Sequence, residues 1–213
     1  MRIRLLGPHG PSPLLTCCSI AAAVVGIVSS AQGYTRLGVL MLSACGVLDA
    51  FDGRFAGLFK RDADARTFGM AIDSLADVVA FGVAPAILMA QSALQHLTSG
   101  LTALVIALAA FYVLAAVWRL AWFDTLSINH GNTGSSAFRG VPVTYAALVF
   151  PLAFALCKVL GNWLQAGFAM PLLSTVLAVL FVLDIEVPRP KTSVLIVLCL
   201  ASLLASAYVM WWQ

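Results

Sequence analysis

The chain has 213 residues, of which 62% are hydrophobic and 10% charged, against roughly 45–50% and about 25% in an ordinary soluble domain. With a mean hydropathy of +0.99, these figures exclude a water-soluble globule, a disordered chain and a disulfide-stapled secreted module, and leave lipid-spanning segments of about 20 residues as the main content. Twelve Lys and Arg with a net charge of +3 are too few for the basic surface of a nucleic-acid binder, so no nucleic-acid partner is expected.

In chain order, Arg2 and Arg4 precede a Gly/Pro-rich run and an apolar stretch that begins at Leu14. No A-x-A-like site follows, so this stretch reads as an uncleaved first span rather than a signal peptide. Apolar segments lie at about 14–32, 37–58, 69–95, 99–122, 142–161, 163–184 and 193–212. The expected fold is therefore an all-α integral membrane bundle of about six to seven transmembrane helices, forming one integral membrane domain over 1–213. The second and third segments are interrupted by Asp49, Asp52, Arg54, Asp73 and Asp77, and the sixth carries Pro171. The last ends on Tyr208, Trp211 and Trp212, which read as an interfacial aromatic belt. Cys17, Cys18, Cys45, Cys157 and Cys199 lie in apolar stretches without C-x-x-C spacing and read as core residues. His9, His96 and His130 have no spacing that suggests a metal or catalytic set.

The connections Lys60–Phe68, Asp124–Gly140 and Asp184–Lys191 are the long ones. If the N-terminus is cytoplasmic, Arg2, Arg4, Lys60, Arg61, Arg66, Arg139, Arg189 and Lys191 all fall on the cytoplasmic side, against only Arg36 and Lys158 opposite. Positively charged loops stay in the cytoplasm, so residues 1–13 and the three connections are expected there, beside the polar ends of the second and third helices.

Six of the nine acidic residues fall between 49 and 77. On a helix, Asp49 and Asp52 are three apart and Asp73 and Asp77 four apart, so each pair projects from one face, and the short loop makes the two helices antiparallel neighbours. Four carboxylates can converge in one cavity, and leaving each bare at span depth would cost roughly 2.5–3.5 kcal/mol. A divalent cation would offset that cost, and oxygen-only donors suit Mg²⁺, Mn²⁺ or Ca²⁺ rather than zinc or copper. Residue types alone leave a second reading open, a carboxylate network paired with Arg54, Lys60 or Arg61 along the ion path of a cation transporter.

The stretch D-x-x-D-G-x-x-A at Asp49–Ala56, followed by G-x-x-x-D-x-x-x-D at Gly69–Asp77, resembles the signature of the CDP-alcohol phosphatidyltransferase family. These integral membrane enzymes move a phosphatidyl group from a CDP-linked lipid to an alcohol and release CMP. Residues 73–86, D-S-L-A-D-V-V-A-F-G-V-A-P-A, are similar to the serine-using branch, and so are Arg119–Phe123 and the loop Phe138–Thr144. The resemblance covers about 37–150. It implies CDP-diacylglycerol and L-serine as substrates, CMP as product, membrane lipid as surroundings, a homodimer, and Mg²⁺ or Mn²⁺ as cofactor. It also implies that Asp49, Asp52, Asp73 and Asp77 hold metal and that Asp77 is the catalytic base. Gly53, Ala56 and Gly69 would let the nucleotide approach the helix backbones, while Arg119 and Arg139 would take anionic groups. Glycerol-3-phosphate, inositol phosphate or choline as acceptor would use the same aspartates. The family reads A-R where this chain has Ala56-Gly57, which leaves Arg61 or Arg66 of the longer following loop to stand in.

Overall fold

A computed structural model describes residues 13–97, 99–130, 137–160, 163–188 and 192–211. Among them are α1 (Leu14–Ala31), α2 (Thr35–Gly57), α3 (Ala63–Asp77), α4 (Ala84–Leu94), α5 (Thr102–His130), α6 (Ala146–Val159), α7 (Trp163–Val182) and α8 (Thr192–Trp211). A π-helical segment, Val78–Val83, joins α3 to α4, so that Ala63–Leu94 is one continuous span of 32 residues. Seven helical rods result, as the apolar segments lead one to expect.

Four of the rods are long and apolar enough to cross a membrane by length and composition: Leu14–Ala31, Ala63–Leu94, Thr102–Leu126 and Thr192–Trp211. Val143–Val159 and Gly167–Val182 are shorter apolar helices. α2 has 23 residues and ample reach, about 34 Å at 1.5 Å per residue, but carries its charges at the C-terminal end. Leu104, Ile106, Leu114, Trp118, Leu172 and Leu204 point outward, exposed, from rods that are apolar on all sides, as lipid-facing surfaces require. The molecule is an all-α integral membrane protein.

α2 is the central post, packed against α1, α4, α6 and α8. Small residues permit the approach. A Cβ on Gly46 would lie 2.5 Å from the Ala147 Cβ of α6, and one on Gly38 would collide with the Ser30 hydroxyl of α1. This is how helices associate in lipid, where burial of apolar surface gives no preference for a neighbouring helix over an acyl chain. α8 is fastened to α2 by hydroxyls: Ser43 Oγ lies 2.7 Å from Ser202 Oγ and 2.6 Å from Ser206 Oγ, and Ser202 Oγ donates to the Ala147 carbonyl.

The π-helical segment has a local cause. Pro85 has no N–H to offer the Phe81 carbonyl four residues back, so the regular ladder is interrupted there. The buried Tyr112 hydroxyl of α5 donates to that carbonyl at 2.9 Å, and the Tyr112 ring packs against Phe150 and Phe181 in the core.

The third rod begins six residues earlier than the apolar pattern suggests. The Asp62 carboxylate accepts from the Ala65 N–H at 2.7 Å and caps α3, so most of the 60–68 connection is helix. α5 likewise runs beyond residue 122 to His130, because a helix continues past the point where its sequence turns polar. The remaining connections are tied by a small ribbon, β1 (Ala137–Arg139) antiparallel to β2 (Glu186–Pro188), with Arg139 opposite Glu186. The purely helical expectation did not include it.

Candidate active site

The C-terminal end of α2, the first half of the Ala63–Leu94 rod, the second half of α5 and the start of α6 meet at one end of the bundle, where the 58–62 loop and the β1–β2 ribbon also lie. The antiparallel turn between α2 and α3 brings Asp49, Asp52 and Asp73 together, with one oxygen of each within 4.8 Å of the others. All three are half-buried. Asp77 stands one turn beyond Asp73 on the same helix and interacts electrostatically with Asp49. Thr16 of α1 donates to Asp52 at 3.4 Å.

Two cavities flank this cluster, and Asp73 borders both. The smaller, about 120 Å³, is lined by Asp52, Gly53, Ala56, Gly69 and Asp73, with Arg61, Thr16 and Pro13. A Cβ on Gly53 would meet no atom within 4 Å, so the α2 backbone is open to this space, whereas one on Gly69 would sit 3.6 Å from an Arg61 guanidinium nitrogen. The three small residues singled out from the sequence thus share one cavity wall. Arg61 is the cation that accompanies them, while Arg66 is exposed and borders neither cavity.

The larger cavity, about 700 Å³, is lined by Asp49, Asp73, Asp77, Arg119, Asp124 and Thr144, among others. Arg119 is 7% exposed; its Nε donates to the Val141 carbonyl at 3.2 Å, its guanidinium lies 5.3 Å from the Phe123 ring centre, and its Nη2 is buried without a partner. The charge of Asp77 acts on it across the cavity wall they share. Arg119 lines this cavity, and a buried guanidinium nitrogen with nothing to donate to calls for an anionic ligand. Arg139 is placed on β1 by its backbone, and its side chain lies outside the described residues.

Sequence reasoning missed Asp124, which it left at the start of a loop. In the structure this residue is on α5, borders the larger cavity, and accepts a hydrogen bond of 2.9 Å from Ser74. The signal was its position five residues after Arg119 on a helix that outlasts its apolar stretch. Arg54, one of the partners considered for a carboxylate network, instead donates to Thr192 of α8 at 2.8 Å.

The cluster fits a divalent cation: three carboxylate oxygens at mutual ligand spacing, no nitrogen or sulfur donor among them, and space on either side for further oxygen ligands. Chemically, the arrangement offers a carboxylate centre suited to a cation between two chambers, one walled by bare backbone and one lined by Arg119, whose Nη2 has no partner.

Comparison with known proteins agrees with this geometry. The chain is 28% identical over 213 aligned residues to the CDP-diacylglycerol–serine O-phosphatidyltransferase of Mycobacterium tuberculosis, covering 93% of this chain and 71% of that protein. It is 30% identical to the protein of the same name from Helicobacter pylori, covering 84% and 71%, and 30% identical to the archaetidylserine synthase of Methanothermobacter thermautotrophicus, covering 83% and 68%. The family model for CDP-alcohol phosphatidyltransferase matches residues 12–183, a stretch that holds all four aspartates and every residue lining the two cavities, and the chain belongs to that family.

Proposed function

We propose that this protein transfers the phosphatidyl group of CDP-diacylglycerol to the hydroxyl of L-serine, giving phosphatidylserine and CMP. The observation that carries the reading is the triad of Asp49, Asp52 and Asp73 oxygens within 4.8 Å of one another, set between two chambers. The names of the relatives support serine as the acceptor.

Asp49, Asp52 and Asp73 would hold one or two Mg²⁺ or Mn²⁺ ions, with Asp77 as a further ligand. When bound, the metal neutralises diphosphate charge and acts as a Lewis acid toward the reacting phosphoryl group. The wall of Gly53, Ala56 and Gly69 admits the nucleotide, and Arg61 faces its phosphates. Asp77 lies on the side of the larger chamber, where it is placed to accept the proton of the serine hydroxyl. The serine oxygen forms a bond to the phosphatidyl phosphorus while the bond from that phosphorus to the bridging oxygen breaks, and CMP departs with the electron pair. The Nη2 of Arg119 donates to the serine carboxylate, a guanidinium fork matching two carboxylate oxygens. Arg139, on β1, is a second candidate for an anionic group.

The site is taken to face the cytoplasm together with the N-terminus, because the charge count of the connecting segments favours that orientation. Pairing with a second copy of the chain is part of the same proposal. The test is to incubate membranes containing the protein with CDP-diacylglycerol and labelled serine, glycerol-3-phosphate or inositol phosphate. CMP release with label moving into lipid only from serine is expected; transfer to another acceptor, or cation flux without nucleotide dependence, would refute the reading.

A further inference from the structure

Besides Asp49, Asp73 and Asp77, the larger chamber is lined by two opposite charges, Arg119 and Asp124, and the transfer as proposed gives a part only to Arg119. Arg119 presents a guanidinium nitrogen that is buried and has no partner. Asp124 lies five positions further along the same helix, roughly 7.5 Å along its axis, and lines the same cavity. Asp124 stands apart from the three carboxylates whose oxygens cluster at ligand spacing. One of its oxygens accepts from the Ser74 hydroxyl, which fixes the carboxylate in place and leaves the second oxygen as a further acceptor.

Free serine carries a carboxylate and an ammonium on one carbon. Competing acceptors such as glycerol-3-phosphate and inositol phosphate carry anionic charge alone. With Asp49, Asp73 and Asp77 given over to the metal and the base, Arg119 alone would welcome all of these, whereas the further carboxylate of Asp124 repels the anionic acceptors and pairs with the ammonium. We propose that Asp124 determines acceptor specificity: Arg119 takes the carboxylate of a zwitterionic β-hydroxy-α-amino acid, Asp124 takes its ammonium, and the two together turn the hydroxyl toward Asp77. Ser74 is the positioning residue, since it holds the Asp124 carboxylate by its hydrogen bond. The inference rests on the serine-transfer reading.

The test uses the enzyme in detergent with CDP-diacylglycerol and two acceptors that differ at one group, L-serine and glycerate, which keeps the carboxylate and the β-hydroxyl and carries a hydroxyl in place of the ammonium. Asp124→Asn is expected to raise the KM for serine roughly tenfold or more, as befits loss of a charge-assisted contact, and to shrink the preference for serine over glycerate. The KM for CDP-diacylglycerol and the Mn²⁺ concentration for half-maximal rate should stay where they are, which also shows that the variant is folded. Ser74→Ala should move the serine KM in the same direction by less, and Asp124→Glu should restore part of the discrimination. An unchanged serine KM in Asp124→Asn, a preference for serine over glycerate that survives it, or a Mn²⁺ requirement that rises in step would overturn the assignment, the last by making Asp124 part of the metal site. A parent enzyme that transfers to other acceptors and not to serine would overturn the transfer reading itself, and with it this assignment.

Discussion

The four motif aspartates have unequal surroundings, and the differences separate their roles. Asp49, Asp52 and Asp73 converge at ligand spacing, while Asp77 reaches the cluster through Asp49 and faces the larger chamber. Asp49→Ala, Asp52→Ala and Asp73→Ala are each expected to abolish turnover while the protein still inserts, and excess chelator should do the same to the parent enzyme; full turnover in chelator would contradict a metal site. Asp77→Asn is expected to retain CDP-diacylglycerol binding and lose a factor of roughly 10² or more in kcat, measured by comparing equilibrium binding with single-turnover rates. Arg61 makes a further prediction at this scale. Gly57 has no side chain and Arg61 borders the wall of Gly53, Ala56 and Gly69, so Arg61→Ala should raise the KM for CDP-diacylglycerol with little change in that for serine. The aspartate cluster was legible in the sequence because intramembrane charge is costly and therefore conspicuous, whereas the small residues and Arg119 were singled out through the family resemblance. Asp124 was not, since its role depends on where α5 ends, and hydropathy marks the end of an apolar stretch rather than the end of a helix.

At the level of elements, the aim of Arg119 depends on a turn outside its own helix. Gly140 has a φ of +76°, its N–H donates to the Ile185 carbonyl at 2.8 Å, and a Cβ there would lie 3.0 Å from the Phe181 carbonyl oxygen. The next residue, Val141, supplies the carbonyl that receives Arg119 Nε. Gly140→Ala combines an unfavourable left-handed conformation with crowding, so it should shift Val141 and loosen the guanidinium. The expected outcome is a raised KM for serine with the CDP-diacylglycerol KM nearly unchanged; a loss confined to thermal stability would deny the coupling. Gly46→Ala tests a different contact: its methyl would press on Ala147 across the α2–α6 seam, and a cost of about 1–3 kcal/mol is expected, read as a lower unfolding temperature in detergent. The number of rods and their approximate extents followed from hydropathy. The cap at Asp62, the π-helical segment at Pro85 and the β1–β2 ribbon did not, because each arises from a single hydrogen bond or a missing one rather than from a periodic pattern.

For the whole molecule, the described parts of the connections that precede α3, α6 and α8 gather at the end where the aspartates lie, and residues 33–36 and 95–96 lie at the other. If that end is cytoplasmic, single cysteines introduced into a background lacking the native five should divide cleanly. A cysteine replacing exposed Asp64 should react with an impermeant reagent only from the cytoplasmic side, and one replacing exposed Tyr34 only from the opposite side. Labelling of position 64 from outside alone would reverse the orientation. This grouping of connections was readable from the chain, since an even number of crossings separates them.

The family match ends at residue 183, yet α8, from Thr192 onward, is not an appendage. Its Ser202 and Ser206 hydroxyls engage Ser43 of α2, its Thr192 receives Arg54, and its Cys199 and Ser202 line a small pocket that includes Asp49. The recognisable motif and the physical catalytic unit therefore have different borders. A helix that carries no signature residue is nonetheless the outer wall behind Asp49, and its sequence can drift freely in apolar character only while three hydroxyls remain in register with α2. Chimeras that graft the signature-bearing part onto another protein's last helix would inherit every reactive group and still lack the surface that keeps acyl chains away from the first aspartate.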